Sequence, residues 1–333
     1  YLVLPGLFHI PLVLAMRVFP SLGLVYVLCL LVIGIIQLRQ DKPDGLILVC
    51  GYASSAELIW RMTEAPVFWE SGKYLLVLLM GLGIIRWRFK LSSKPFFYIT
   101  LLIPAVFITL RSVNLSTARD YLSFNLSGPL LLCVSAIFFS GIRIKRLMFI
   151  RLLLISIIPI IGVWILAVSS TISGGRILFT NYSNFATSGG YGPNQVSAVL
   201  GLGVLFCWLF LFIARPNGGR FWLLIGFIFA FLAQAILTFS RGGVFNLAIA
   251  IPAATFFFTR SQKHARRRIF AILLLAGLAL YIMIPRLNQF TGGMLITRFE
   301  NFSLTGRDQI IRTDLQIWQD NPILGVGVGI SSL

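Results

Sequence analysis

Charged side chains are scarce in this sequence, and acidic ones are the scarcest. Of 333 residues, 10 are Asp or Glu and 28 are Lys or Arg, so only 11% of the chain is charged. A soluble globular domain carries about 25% charged residues, which excludes that class. The net charge of +18 would suggest a nucleic-acid partner in a soluble protein. Here the basic residues lie in short loops between apolar runs, as topology signals do, so we expect no nucleic acid.

Residue types that hold metals and cofactors are also few. Histidine occurs only twice. The four cysteines fall singly inside apolar runs, without the CxxC spacing of a zinc site; they are Cys29, Cys50, Cys133 and Cys207. A Walker loop and a Ser–His–Asp set are absent as well. The sequence therefore predicts no metal site and no cofactor.

Long apolar runs fill the rest of the chain, which is 58% hydrophobic and has a mean hydropathy of +0.91. About 20 apolar residues cross a hydrocarbon core as a helix, and the strand alternation of a membrane β-barrel is absent. The predicted spans lie near 20–37, 45–61, 73–87, 95–110, 128–142, 148–168, 195–214, 221–238, 242–258 and 269–284. Residues 1–17 resemble the tail of a further helix. The sequence thus predicts an all-α, polytopic transmembrane helix bundle of about 10 to 12 spans.

Basic loops alternate with poorly charged loops between these spans. The basic loops lie near 86–94, 143–151, 215–220 and 260–268. Lys and Arg accumulate in cytoplasmic loops. The loops at 111–127, 169–194 and 239–241 are therefore predicted to face the opposite, outer side of the membrane.

The end of the chain differs in composition, because its acidic and basic residues nearly balance. We therefore divide the chain into a transmembrane bundle, 1–284, and an external segment, 285–333, which we expect to begin a larger loop that continues beyond the chain end. Residues 307–320 are predicted to form an amphipathic helix, with Ile311, Leu315 and Trp318 on one apolar face. Such a helix suits the surface of the lipid bilayer.

The stretch Ser240-Arg241-Gly242-Gly243 follows a break and opens an apolar run. An arginine on the outer face runs against the positive-inside bias, and its guanidinium group offers a planar fork of donors to a phosphate. Gly242 and Gly243 leave the backbone N–H groups of the helix start open to a ligand. We interpret Arg241 as a catalytic residue, with Ser240 and Gly242 binding substrate. The alternative is an arginine whose head snorkels to the interface.

A second stretch, Gly192-Pro193-Asn194-Gln195, also opens an apolar run. Pro193 suits the first position of a helix, and free N–H groups at a helix N-terminus bind phosphate. Gly192 permits close approach, while Asn194 and Gln195 offer amide groups to phosphate or sugar hydroxyls. We predict that Gly192, Asn194 and Gln195 bind substrate. An ordinary helix start is the alternative.

Further arginines follow on the predicted outer face. Two or more arginines converging on a pyrophosphate stabilise the charge that develops as it leaves. Arg307 opens the amphipathic helix and is the preferred second catalytic arginine. Arg298 is predicted to help bind the substrate, whereas Arg312 can simply pair with Asp308.

A general base is harder to find in this sequence. Glu57, Glu64 and Glu70 fall near the predicted outer face. Glu57 is the preferred candidate, because an acid within a span usually has a role.

The order and spacing of these stretches resemble the O-antigen ligase and polymerase superfamily of bacterial envelope enzymes. The resemblance covers roughly residues 180–330. Its motifs are Gly192-Pro193-Asn194-Gln195, Ser240-Arg241-Gly242, Thr305-Gly306-Arg307, Trp318 and Asn321-Pro322-Ile323-Leu324-Gly325-Val326-Gly327.

This resemblance implies a glycosyltransferase at the periplasmic face of the bacterial inner (cytoplasmic) membrane. Its donor would be a glycan on undecaprenyl pyrophosphate, and its acceptor the lipid A core, another glycan or a protein. The resemblance implies no nucleotide sugar and, in the ligases, no metal. Arg241 and Arg307 would match the family's pyrophosphate-binding arginines. The histidine of the ligases has no counterpart after His264, and we expect its position beyond Leu333.

Two rival functions remain open at the level of sequence. One is a transporter or flippase of lipid-linked glycans, which would need an ionisable path across the membrane. The other is a non-enzymatic scaffold of envelope assembly, which would not need arginines on the outer face. Ligase and polymerase also remain alternatives within the enzyme hypothesis.

Overall fold

A computed structural model of the protein describes residues 3–90, 93–175, 177–261, 265–301 and 307–332. Within these ranges the chain forms thirteen α-helices and two short 3-10 helices, and no strand. The predicted all-α class is therefore confirmed. Thr305 and Gly306, two residues of the predicted motifs, lie outside the described residues, as does His264.

The helices follow one another with short connections. In chain order they are α1 Val3–Val18, α2 Ser21–Gln37, α3 Asp44–Met62, α4 Ser71–Arg86, α5 Ser93–Ser112, α6 Leu115–Ser140, α7 Arg146–Ser173, α8 Pro193–Ile213, α9 Gly219–Leu237, α10 Arg241–Ser261, α11 Ala265–Phe290, α12 Met294–Glu300 and α13 Arg307–Asp320. The 3-10 helices are Ala186–Ser188 and Ile330–Ser332.

Six stretches of the described helices are long and apolar enough to cross a membrane. They are α5, α6, α7, α8, α9 and Ile272–Phe290 of α11. Parts of α1 and α10 and the whole of α2 are apolar but shorter. Each of the ten predicted spans falls on one of the helices α2 to α11, and this identifies a multi-pass membrane protein. The number of 10 to 12 spans stays a prediction.

Helix α6 begins well before the predicted start of its span at 128. Asn114 caps it, because the Asn114 side chain accepts a hydrogen bond from the backbone N–H of Thr117 at 2.9 Å. The first turns of α6 carry Arg119 and Asp120, so hydropathy alone misses them. A capping side chain, rather than apolar character, sets this helix start.

The chain divides into two compact units. Unit 1 comprises residues 1–26, 51–67 and 145–301, and unit 2 comprises residues 27–50, 68–144 and 302–333. Helices α7 and α8 are largely buried in unit 1; α8 packs against α7, α9 and α10, and α7 also packs against α1. Helices that are apolar all round belong in such a central position.

Helices α8 and α10 approach each other closely in unit 1. A Cβ atom added to Gly243 would lie 2.5 Å from the backbone carbon of Ser197 and 2.6 Å from its carbonyl oxygen. On the same face of α8, a Cβ added to Gly201 would lie 3.2 Å from the Gly243 carbonyl oxygen. Small residues at such crossings let two backbones meet. This contact determines where α10 begins relative to α8.

A buried polar cluster joins α1, α2 and α3 within unit 1. His9 is buried, and its Nε2 atom lies 2.8 Å from the Tyr52 hydroxyl. The Tyr26 hydroxyl donates to the Tyr52 hydroxyl at 2.6 Å. Buried polar groups are costly unless they are paired in this way.

In unit 2, the glycine-rich segment near the chain end lies against α5 and α6. The Val328 N–H donates to Thr109 Oγ1 at 2.6 Å. A Cβ added to Gly327, whose φ is +111°, would lie 2.9 Å from the same oxygen. Gly329 packs in a similar way against Tyr121 and Asn125. The glycines therefore permit a close approach to the helices.

Helix α13 occupies the positions predicted for the amphipathic helix, and no residue in it is buried. The side chains of Ile311, Leu315 and Trp318 are each more than half exposed. The helix is confirmed, and its place at the bilayer surface remains a prediction.

Candidate functional site

The C-terminal end of α9 is held by two other parts of the chain. A helix end leaves its last carbonyl groups without helical partners. The carbonyl of Leu237 accepts from Thr187 Oγ1 at 2.6 Å, and that of Thr238 accepts from the Asn184 N–H at 2.8 Å. The next carbonyl, of Phe239, accepts from Arg298 Nε at 3.1 Å. Hydrogen bonds to three successive carbonyls therefore hold the end of α9 and the turn after it against the 177–191 loop and α12.

Phe239 occupies an unusual backbone conformation in this turn. Its φ is +58° although it is not a glycine, a conformation that costs about 1–2 kcal/mol for a residue with a side chain. Its ring is fully buried and stacks on Phe179 with centroids 5.2 Å apart. Burial of this aromatic ring offsets the backbone strain, and the reversal directs the chain from α9 into α10.

Ser240 and Asn194 connect the starts of α10 and α8. The Ser240 hydroxyl donates to Asn194 Oδ1 at 2.8 Å. Ser240 is buried, whereas Asn194, on the first turn of α8, is exposed. The two stretches that the sequence singled out are therefore neighbours in space. A hydrogen bond between one side chain of each stretch joins them.

Arg241 is the first residue of α10, as the sequence predicted. Its side chain is half-buried, and Nη1 donates to the backbone carbonyl of Asn301, which follows α12. The following glycines differ in their surroundings. Among the residues that the structure describes, a Cβ added to Gly242 would meet nothing within 4 Å, whereas the corresponding position of Gly243 is filled by Ser197. Gly242 therefore faces open space beside Arg241, and Gly243 serves the packing of α10 on α8.

Helix α8 begins at Pro193, at the predicted position. Its N-cap is Gly192, which contributes no side-chain cap. The carboxamide of Gln195 folds back over Gly192, with the Gln195 Cδ 2.9 Å from where a glycine Cβ would stand. The amide group of Gln195 therefore lies at the N-terminus of its own helix.

Arg298 is buried, and two of its nitrogens donate to backbone carbonyls. Nε bonds to Phe239, and Nη1 bonds to the carbonyl of Asn181 at 2.6 Å. Hydrogen bonds from a charged donor contribute about 1.5–3 kcal/mol each. A positive charge beside the C-terminus of α9 is also favoured by the helix dipole.

An apolar cavity of about 480 Å³ lies between α9, α10, α11 and α12. Along α10 its lining runs from Val244 to Pro252, which is about 12 Å at the rise of an α-helix. Its other lining residues include Ile236 and Leu295, which pack in one cluster with Phe239. The cavity therefore begins one turn from Arg241 and continues down the same helix.

The other two predicted residues belong to α3 and α13. Glu57, on α3, forms an ion pair with Arg61 one turn further along the helix. Arg307 is an exposed residue at the start of α13, in unit 2.

Several residues of this region escaped the sequence analysis. Gln234 is buried and donates through Nε2 to the Thr187 carbonyl at 2.6 Å. A glutamine within an apolar span is a signal that would have identified it. Three further residues act through their backbone carbonyls, so no pattern of side chains in the sequence predicts them. They are Phe239, Asn181 and Asn301.

The fold and this region together define a multi-pass α-helical membrane protein with an arginine at one end of an apolar cavity. Residues 226–332 match the family model described as O-antigen ligase. The match confirms the predicted resemblance to the O-antigen ligase and polymerase superfamily over that part of the chain, which includes Arg241, Arg298 and Arg307. No curated protein and no solved structure matches the chain.

Proposed function

We propose that this protein is a membrane glycosyltransferase that moves a glycan from undecaprenyl pyrophosphate to an acceptor hydroxyl. The family match indicates an enzyme of glycosyl transfer in a membrane. The donor, the periplasmic location of the site, the inner membrane and the independence from metal are our proposal.

One observation carries the proposal, namely that Arg241 stands one turn from the start of an apolar cavity along α10. A lipid pyrophosphate has an anionic head and a long apolar tail, and this juxtaposition suits both parts. The cavity would take the part of the tail nearest the head. Arg241 and the open backbone at Gly242 would take phosphate oxygens at the helix N-terminus.

The rest of the predicted site completes this arrangement. Asn194 and Gln195, at the N-terminus of α8, would bind further phosphate oxygens or sugar hydroxyls. From the sequence alone, Arg307 is our candidate for a second cation that binds the pyrophosphate.

The chemistry is a displacement at the anomeric carbon. The acceptor oxygen forms a bond to that carbon while the bond to the pyrophosphate oxygen breaks. The acceptor proton passes to a general base, for which Glu57 is the candidate, and undecaprenyl pyrophosphate leaves. Cations that stabilise the leaving pyrophosphate lower the barrier. Attack opposite to the leaving group inverts the anomeric centre.

The proposal includes a topology. Residues 1–284 form the bundle of 10 to 12 spans, with the basic loops in the cytoplasm. Residues 285–333 lie on the periplasmic side, and α13 rests on the bilayer surface.

The test uses full-length protein in proteoliposomes, supplied with glycan on undecaprenyl pyrophosphate and with candidate acceptors. Product mass separates the reactions, because transfer to lipid A core identifies a ligase and longer glycan chains identify a polymerase. Arg241→Ala should abolish transfer while expression is unchanged. Arg220→Ala, at the opposite end of α9, is the matched control and should retain activity.

Full activity in the Arg241→Ala variant would contradict the proposed role of this residue. If the wild-type protein moves labelled lipid across the vesicle membrane without transferring the glycan, the flippase alternative replaces the transferase.

A further inference from the structure

Arg298 bonds to the protein's own backbone, unlike an arginine whose guanidinium group is open to a substrate. Its side chain is buried, and its two bonded carbonyls come from distant parts of the chain, Asn181 in the loop before α8 and Phe239 in the turn before α10. A planar guanidinium group can hold two acceptors at a defined distance and angle. Arg298 therefore ties the loop to the turn.

The bond to Phe239 acts on the backbone that leads directly into Arg241. The Phe239 carbonyl belongs to the peptide that joins Phe239 to Ser240, so its direction determines how the chain enters α10. Phe239 is held at a φ of +58°. A conformation of this kind persists only where its surroundings enforce it.

A second contact from the same segment reaches Arg241 itself. The carbonyl of Asn301, at the C-cap of α12, accepts from Arg241 Nη1. Arg298 anchors α12 to the turn that precedes α10. Asn301, which follows α12, accepts a hydrogen bond from the Arg241 side chain at the end of that turn. The short helix α12 thus contacts both the backbone before Arg241 and its guanidinium group.

We propose that Arg298 is a positioning residue, which holds the Phe239–Ser240 peptide and α12 so that Arg241 is presented in its binding orientation. Arg298 acts through Arg241 and does not touch the substrate. The consequence for transfer rests on the proposed function, whereas the effect on the turn does not.

The lysine variant separates this role from direct binding of a phosphate. Arg298→Lys keeps the charge but loses the fork that reaches two carbonyls. If Arg298 positions Arg241, Arg298→Lys and Arg298→Gln should both lower the rate of transfer about tenfold to a hundredfold. If Arg298 binds the pyrophosphate directly, Arg298→Lys should retain most of the activity. Arg286→Gln, an exposed arginine on α11, is the matched control.

A double-mutant cycle tests whether the effect passes through Arg241. Combining Arg298→Gln with Arg241→Gln should reduce the rate no further than Arg241→Gln alone, because residues that act as one unit are not additive. Additive losses would overturn the proposal. The thermal unfolding temperature of each variant shows whether a loss reflects general destabilisation.

A second measurement needs no substrate and separates this inference from the proposed function. Amide hydrogen exchange should become at least about tenfold faster at Asn184, Phe239 and Ser240, whose N–H groups are hydrogen-bonded in the loop and the turn, in Arg298→Lys and Arg298→Gln, and stay unchanged in Arg286→Gln. Unchanged exchange at these three residues in both Arg298 variants would overturn the inference, even if the wild-type protein transfers glycan. Faster exchange in a protein without transfer would retain the inference and remove the proposed function.

Discussion

Alanine at Gly243 should shift the start of α10 away from α8. The added Cβ would stand 2.5 Å and 2.6 Å from the backbone carbon and oxygen of Ser197. Favourable contacts between carbon atoms lie at about 3.5–4.0 Å, so the two backbones must separate by about 1 Å. Overpacking of this kind costs about 1–3 kcal/mol of stability. A displacement of about 1 Å at a binding group costs about a hundredfold in rate.

Gly242→Ala is the matched substitution, because its new methyl group would meet no atom of the described parts of the chain within 4 Å. Its stability should equal or exceed that of the wild type, since alanine is favoured over glycine in a helix by up to about 1 kcal/mol. If Gly242 faces the bound phosphate, this variant should bind undecaprenyl pyrophosphate more weakly. Comparing Gly242→Ala with Gly243→Ala therefore distinguishes a loss of helix packing from a loss of phosphate binding at adjacent residues.

The assays are thermal unfolding in detergent and binding of undecaprenyl pyrophosphate by the purified variants. Gly243→Ala is expected to lose both stability and binding, and Gly242→Ala binding alone. A Gly243→Ala protein with wild-type stability and binding would refute the reasoning from the α8–α10 contact. Loss of stability in Gly242→Ala would show that its surroundings are not open.

Three further predictions concern other parts of the fold. Ala248→Phe should fill part of the cavity and weaken binding of the lipid donor at least about tenfold with little effect on stability, which a donor titration checks against thermal unfolding. Gly327→Ala should release the chain end from Thr109, because the new Cβ would crowd the threonine at a φ of +111°, and limited proteolysis should then cut this segment faster. Tyr52→Phe should cost about 0.5–1.5 kcal/mol, because His9 and Tyr26 lose the hydroxyl that both of them bond while keeping each other, and a wild-type unfolding temperature would contradict this.

The helices could be predicted because their signals are local. An apolar run of sufficient length predicts a helix wherever it occurs, and Pro193 and Arg241 mark helix starts through their immediate neighbours. The start of α6 was missed because it depends on the Asn114 cap rather than on hydropathy. The amphipathic helix α13 was predicted because its apolar residues recur at helical spacing.

The candidate site could be predicted only in part. Arg241, Ser240 and Asn194 stood out by residue type, and the structure brings them together. Arg298 stood out only as one more cation on the predicted outer face. Its partners are main-chain carbonyls, and every residue has one, so no pattern indicates which of them an arginine will reach.

Composition and the order of apolar runs are enough to establish a multi-pass helical membrane protein, because burial in a lipid bilayer demands long apolar helices. The helix starts that carry an arginine can likewise be predicted from the order of residues in the sequence. The tertiary structure alone decided that Gly243 packs while Gly242 has no described neighbour within 4 Å, that Arg298 is buried at the end of α9, and that an apolar cavity begins one turn from Arg241. These features depend on distances between segments far apart in sequence, which local pattern does not contain.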